Sequence, residues 1–298
     1  MAEVSIEDVS DTAFWVAHYR GVETARKDAL FRDPLAARLA GERGKKIAQD
    51  MPVPFFTAWT IAVRTSLIDD YIRSAIADGI DTVLNLGAGL DTRPYRMELP
   101  GTLTWIEVDY PAIVAFKERE LASEHPRCRL SRIELDLADQ ARRRQLLAHI
   151  DADAGKMLVL TEGVVPYLTP EEAGSLADDL TALKHVTYWI VDYLSPQMLK
   201  RRQRLLNDKM RNAPFKFTPD DWFAFFAEHG WRCTQMRYLA VESQRLQRPI
   251  PLRPLMKLMW GIFGLFMSQA RRDSVRRASG YALLEPATPR SATSEAAS

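Results

Sequence analysis

Two hydrophobic patterns alternate along the chain. Short apolar runs cover 82–86, 103–108, 157–160 and 186–193, and a more polar strand is expected at 129–135. They lack a clean apolar–polar alternation, as parallel strands covered on both faces do. Between them lie segments read as helices, at 111–123, at 137–150 and from Pro170 onward, two of them opened by a proline in its favoured first turn. Strand, helix and strand in repeated order predict an α/β fold on a mostly parallel sheet.

The flanks read differently. Residues 12–28 predict a helix capped by Asp11 or Thr12, with Phe14, Ala17, His18, Gly21, Val22 and Ala25 near one face. A second helix is expected from Asp33-Pro34. A third, over 55–77, carries Trp59, Ala62, Val63, Ser66, Leu67, Asp70 and Tyr71 and leads straight into the first strand. Beyond the fifth strand, 195–210 and 218–229 predict helices, the second capped by Thr218, and 232–240 and 279–284 predict two further strands. Within 255–267, Met256, Met259, Trp260, Phe263 and Met267 recur at helical spacing. A helix so apolar buries itself. It suits the wall of an acceptor pocket, a dimer contact or, with Arg271, Arg272, Arg276 and Arg277 following, an anionic membrane surface. The expected layout is one domain over 1–286, divided into a helical cap (1–79), a ligand-binding core (80–194) and an acceptor-side insertion with helices (195–278). The tail, 287–298, has the composition of a disordered segment.

The first strand ends in Gly87-Ala88-Gly89, a sequence that permits a tight turn and close backbone approach to a ligand. The second ends in Asp109, about 20 residues on, where nucleotide-binding α/β folds hold ribose hydroxyls. A dinucleotide site wants a third glycine and a helix N-terminus open to a pyrophosphate. Here Thr92 takes the third position and Asp91 puts a negative charge in the turn. A cationic ligand removes that conflict. S-adenosylmethionine, with a sulfonium, an amino group and no phosphate, is therefore the cofactor expected at Gly87, Ala88, Gly89, Asp91 and Asp109. Glu162 follows the strand at 157–160, at the carboxyl edge of the sheet, and suits the cofactor's ammonium group.

Asn85 to Arg93 (N-L-G-A-G-L-D-T-R), Glu107 to Pro111 (E-V-D-Y-P) and Thr161 to Leu168 (T-E-G-V-V-P-Y-L) together resemble the leucine carboxyl methyltransferase family. The likeness is strongest to its bacterial branch of S-adenosylmethionine-dependent O-methyltransferases, and spans roughly 13–192 and the closing strand at 281–284. It implies a Rossmann-like α/β fold with a mostly parallel seven-stranded sheet, an N-terminal helical cap and a variable helical insertion before the last strands. It also implies that Arg64 grips the methionine carboxylate as a bidentate fork, with Arg20 a further basic candidate. Asp136 and Leu137 are placed by the resemblance at the adenine. The residues alone leave alternatives open: Asp136 as the N-cap of the next helix, and both arginines as solvated helix residues.

Composition narrows the rest. A net charge of +1 implies no general field for nucleic acid, and no uncharged apolar stretch reaches the ~20 residues of a spanning helix. Cys128 and Cys233 make neither a zinc pattern nor a disulfide framework, and the acidic start MAEVSIEDVSD is unlike a secretory signal. The expectation is a cytoplasmic enzyme acting on a small-molecule acceptor, without nucleic acid or stable membrane insertion, and with a homodimer left open. The five histidines (18, 125, 149, 185, 229) form no catalytic pattern. A carboxylate acceptor is already ionised and needs no general base, whereas a hydroxyl does. The expected reaction is thus methyl ester formation on a carboxyl group. O-methylation of a phenolic or polyketide hydroxyl is the alternative, and a cofactor-binding regulatory protein without turnover is another. Tyr167 and Tyr193 are candidates for orienting the acceptor, or are buried tyrosines with partnered hydroxyls.

Overall fold

Seven strands pair in the order β3-β2-β1-β4-β5-β7-β6, in a computed structural model that describes residue 6 and residues 8–206, 209–250 and 268–287. They are β1 (Thr82–Leu86), β2 (Thr104–Asp109), β3 (Arg129–Glu134), β4 (Met157–Thr161), β5 (Val186–Leu194), β6 (Trp231–Tyr238) and β7 (Ser279–Pro286). The first five are parallel, and β7 runs antiparallel between β5 and β6. The order reverses between β1 and β4, and that reversal opens a crevice at the carboxyl ends of the strands. The expected α/β, mostly parallel seven-stranded architecture is what the chain adopts.

The helices are α1 (Asp11–Thr24), α2 (Ala36–Asp50), α3 (Pro54–Ala77), α4 (Arg93–Arg96), α5 (Pro111–Glu120), α6 (Gln140–Asp153), α7 (Pro170–Thr181), α8 (Pro196–Leu206), α9 (Trp222–Glu228), α10 (Leu239–Arg245) and α11 (Gln269–Arg276). Side chains alternate across each strand, and both faces of the central strands β1 and β4 are buried, while β3 and β6 at the edges carry exposed residues. Leu84, Met157, Val159, Trp189 and Val191 face one core with α6, α7 and α9. Val83, Leu158, Leu160 and Ile190 face another with α3. A third apolar cluster joins α1 and α2 to Leu90, Ile113, Leu206 and Met210, and so lays the N-terminal helices across the carboxyl edge of the sheet. Gly44 permits their contact, because a Cβ there would stand within 2.4 Å of the Phe14 carbonyl oxygen.

Several boundaries differ from expectation, each for a local reason. Helix α2 begins at Ala36, after Pro34, because the buried Asp33 carboxylate accepts from the Ala36 amide at 3.1 Å. Asp139, not Asp136, caps α6, accepting from the Arg142 amide. Asp221, not Thr218, caps α9 through the amides of Phe223 and Ala224. In α1, Val22 is exposed while Tyr19, Arg20 and Glu23 are buried. Polar partners reverse the pattern there: Arg20 Nε meets Asp33 at 2.8 Å and Glu23 meets Arg248 at 2.7 Å. The stretch 255–267 lies outside the described residues, as does 288–298. Ala287, expected in the tail, still donates to the Gly230 carbonyl at 2.8 Å. Among the described residues no helix is long and apolar enough to cross a membrane.

Beneath the glycine turn runs a buried chain of charges. Asp69 of α3, fully buried, accepts from Arg93 Nε at 2.7 Å and from both terminal nitrogens of Arg96 at 2.7 and 2.8 Å. Burial works to raise its pKa, yet Arg96 and Arg93 hold it below the usual range. Its neighbour Asp70 binds Arg73, Arg237 and Arg245 nearer the surface. Removing one partner of a buried pair leaves a charge uncompensated. Asp69→Asn should therefore destabilise the fold by about 3–5 kcal/mol in a denaturant titration. A loss below about 1 kcal/mol would show that Asp33, Asp91 and Glu162 suffice to hold both arginines. The sign with pH follows: a carboxylate depressed in the folded state contributes above its unfolded pKa, near 4, and the contribution fades as pH falls through the folded value.

Candidate cofactor and acceptor site

Neighbouring strands stand about 4.8 Å apart, so the strand order is a ruler along the carboxyl edge. From β3 to β4 is three steps, about 14 Å. The residues at the strand ends are Asp136 and Leu137 after β3, Asp109 at β2, Gly87 to Gly89 after β1, Glu162 after β4 and Asp192 within the end of β5. All of them line one cavity of about 440 Å³, together with Arg20, Arg64, Asp91, Tyr167, Tyr193, Arg202 and Tyr281. Every site residue expected from the sequence thus meets the same space.

The turn fits a ligand that needs close backbone approach. Gly87 has φ +64, and a Cβ there would stand 2.5 Å from Val164 Cγ2. Asp109 accepts from the Gly89 amide at 2.6 Å and from the Tyr110 amide at 2.7 Å, which pins its carboxylate beside the turn with acceptor capacity left for a diol. Burial raises its pKa against those two bonds. Asp136 accepts from Ala138 N at 2.9 Å and lines the cavity, free of the capping role.

Asp91 plays a different part from the one expected. Its carboxylate accepts from Asn85 Nδ2 at 3.0 Å, from the Arg93 amide at 3.0 Å and from Arg93 Nη1 at 2.8 Å. Burial opposes ionisation, but Arg93, then Arg20 and Arg96, hold it far below the usual carboxylate range. The charge in the turn is therefore answered inside the protein rather than offered whole to a cationic ligand. Arg20 likewise acts on the frame: Nη2 donates to the Leu90 carbonyl while Nε holds Asp33.

Glu162 is gripped from two sides. Arg93 Nη1 donates to Oε2 at 2.8 Å, and Arg64 Nε lies 3.0 Å from Oε1. That second contact is an ion pair by distance without hydrogen-bond alignment, so the buried Nε–H of Arg64 has no hydrogen-bond partner among the described residues. Burial would raise the Glu162 pKa; Arg93 and Arg64 together keep it depressed and the group ionised. An opposed guanidinium and carboxylate, one with a donor unspent, fits an amino-acid zwitterion.

The β5 end holds a second cluster. Asp192 accepts from Tyr281 Oη at 2.7 Å and from the Gly163 amide at 2.9 Å. Burial pushes its pKa up despite Tyr281 and Arg64. Tyr167 stacks on Phe215, with centroids 5.2 Å apart, and lies near Arg64 and Arg202. Tyr193, one residue past Asp192 and so on the opposite side of the strand, packs among Trp222, Phe223 and Tyr238. None of the five histidines lines the cavity.

Sequence reasoning missed Arg93, Asp192, Arg202 and Tyr281. Asp192 ends β5 much as Asp109 ends β2, so the same rule would have found it. Arg202 repeats with Leu199 and Leu206 on the inner face of α8, a spacing masked by the basic residues around it. Tyr281 reaches the site only because β7 inserts antiparallel beside β5, pairing Tyr281 with Asp192.

Residues 13–181 match the leucine carboxyl methyltransferase family. A Streptomyces coelicolor protein named "Putative S-adenosyl-L-methionine-dependent methyltransferase" is 36% identical over 269 residues, covering 80% of this chain and 89% of its own. A Parafrankia protein of the same description is 31% identical over 263 residues, covering 82% and 83%. In fold, the chain is similar to the crystal structure titled a "putative methyltransferase" from Thermobifida fusca, with TM-score 0.55 at 16% identity over 92% of this chain and 94% of that one. With the motifs seated in one cavity and the match spanning more than half its length, the chain belongs to the leucine carboxyl methyltransferase family.

Proposed function

We propose that this S-adenosylmethionine-dependent methyltransferase forms a methyl ester on a carboxyl group of a small-molecule acceptor. The observation that carries the reading is the order of charges along the cavity. An acid, Asp109, stands where a ribose would lie, and the opposed pair Arg64–Glu162 stands where the methionine zwitterion would lie. Another guanidinium, Arg202, lines the same cavity within electrostatic reach of Asp192 and Tyr281. Family membership supports the same reaction class.

Asp136 and Leu137 would hold the adenine, Asp109 the ribose hydroxyls, Arg64 the amino-acid carboxylate and Glu162 the ammonium. Arg93 keeps Glu162 ionised for that task, and Arg20 and Asp91 keep the turn in shape. S-adenosylmethionine supplies a methyl group on a sulfonium, which leaves with the C–S electron pair as a neutral thioether while a carboxylate oxygen gains the methyl. No proton moves, so the protein's work is alignment and exclusion of water. Asp192 supports a second reading. Buried, with a raised pKa, it could take the proton of a hydroxyl acceptor.

Asp109→Ala should weaken S-adenosylhomocysteine binding by about 1–3 kcal/mol in calorimetry; unchanged affinity in a folded variant would put the ribose elsewhere. Arg64→Lys keeps the charge and loses the fork, so it too should bind this ligand more weakly, whereas full affinity would show that Arg64 only balances Glu162. The labelled methyl product should be released by mild alkali, and its rate of formation should stay level between about pH 6 and 9, where a carboxylate is already ionised. A base-stable ether, formed at a rate lost as pH falls through the raised pKa of Asp192, would decide for the hydroxyl reading.

A further inference from the structure

Among the described residues, the cationic side chains that line the cavity are Arg20, Arg64, Arg202 and Lys216. Arg20 is paired with Asp33, Arg64 stands against Glu162, and Lys216 is exposed at the rim. Arg202 differs from all three. It is partly buried, yet no described carboxylate lies within ion-pair distance of it and no described acceptor takes its hydrogen bonds. Helix α8 turns Lys200, Arg201 and Arg204 elsewhere and puts Arg202 on the inner face between Leu199 and Leu206. Asp192 is near, but its oxygens already take Tyr281 Oη and the Gly163 amide. A half-buried guanidinium with no ion pair or hydrogen bond among the described residues keeps its donors available to a ligand.

Its surroundings define that ligand. Leu206, Tyr167, Phe215 and Trp15 share an apolar cluster alongside it, and Tyr167 and Phe215 stack there. Arg202 stands within electrostatic reach of Tyr281, Tyr167 and Asp192, around the end of β5, as well as of Arg64. We propose that Arg202 binds the carboxylate of the methyl acceptor, and that the acceptor is a monocarboxylate on an apolar or aromatic body. The inference deepens the carboxyl reading above and rests on it. It carries a consequence for turnover: the ester has lost the charge that Arg202 recognised, so the site favours substrate over product.

The test uses the full chain saturated with S-adenosylhomocysteine and titrated in a calorimeter with decanoate and with decanamide. The wild type should bind decanoate more tightly than decanamide. Arg202→Gln should weaken decanoate about tenfold or more while leaving decanamide and S-adenosylhomocysteine unchanged. Arg202→Lys, which keeps the charge and drops the fork, should fall between them and carries the test if the glutamine variant does not fold. Unchanged decanoate affinity in Arg202→Gln overturns this inference and leaves the carboxyl reading standing. Loss of S-adenosylhomocysteine binding in that variant overturns it differently, making Arg202 a cofactor ligand. A wild type with no preference for decanoate over decanamide contradicts the carboxyl reading itself.

Discussion

The site depends on one buried cation. Arg93 holds Asp69 of α3, Asp91 of the turn after β1 and Glu162 after β4, each within 2.8 Å. Three chain segments distant in sequence are thereby fixed to a single planar group. A guanidinium is suited to this, since its five donors have a rigid spread and it stays charged at any relevant pH. Burying it is tolerable only because the acids surround it, and burying them only because it is there. The cavity above inherits this rigidity: Glu162 is ionised and aimed before any ligand arrives, which lowers the ordering cost of binding.

The second constraint is the two-sided core. Because both faces of β1, β4 and β5 are covered, a one-residue slip would turn each apolar residue into the wrong core. Register is then fixed, and with it the lateral spacing of the residues that end the strands. The cofactor edge is built from strand ends and short turns alone. The proposed acceptor edge would borrow from α8, β7 and residues 215–216, which come late in the chain. That division suits a conserved donor chemistry beside an adaptable acceptor pocket.

Much of the cavity lining was legible in the sequence, because glycine turns and strand-end acids obey local rules. All seven strands were visible as short runs of β-forming residues, although the sixth, expected over 232–240, gives way to α10 at Leu239. What stayed hidden depends on tertiary contact. Asp91 looked like a charge awaiting a cation, since nothing in N-L-G-A-G-L-D-T-R says that Arg93 folds back onto it. Asp136 could also be read as a cap, a role that Asp139 takes. In α1 the apolar face pointed to Val22, whereas buried ion pairs chose Arg20 and Glu23. Tyr281 acquires meaning only through the antiparallel insertion of β7 beside β5. The tyrosines singled out from sequence divide: Tyr167 joins the charged cluster, and Tyr193 belongs mainly to an aromatic one.

The central claim is a spatial order along the carboxyl edge, with the cofactor seated from β3 to β4 and the β5 end left for the acceptor. A crystal structure with S-adenosylhomocysteine measures that order directly. The account predicts adenine beside Asp136 and Leu137, ribose hydroxyls on Asp109, and the amino-acid end between Arg64 and Glu162, with Arg202 still open to the remaining space. An amino-acid end bound to Arg202 and Asp192, or a ribose away from Asp109, would contradict it.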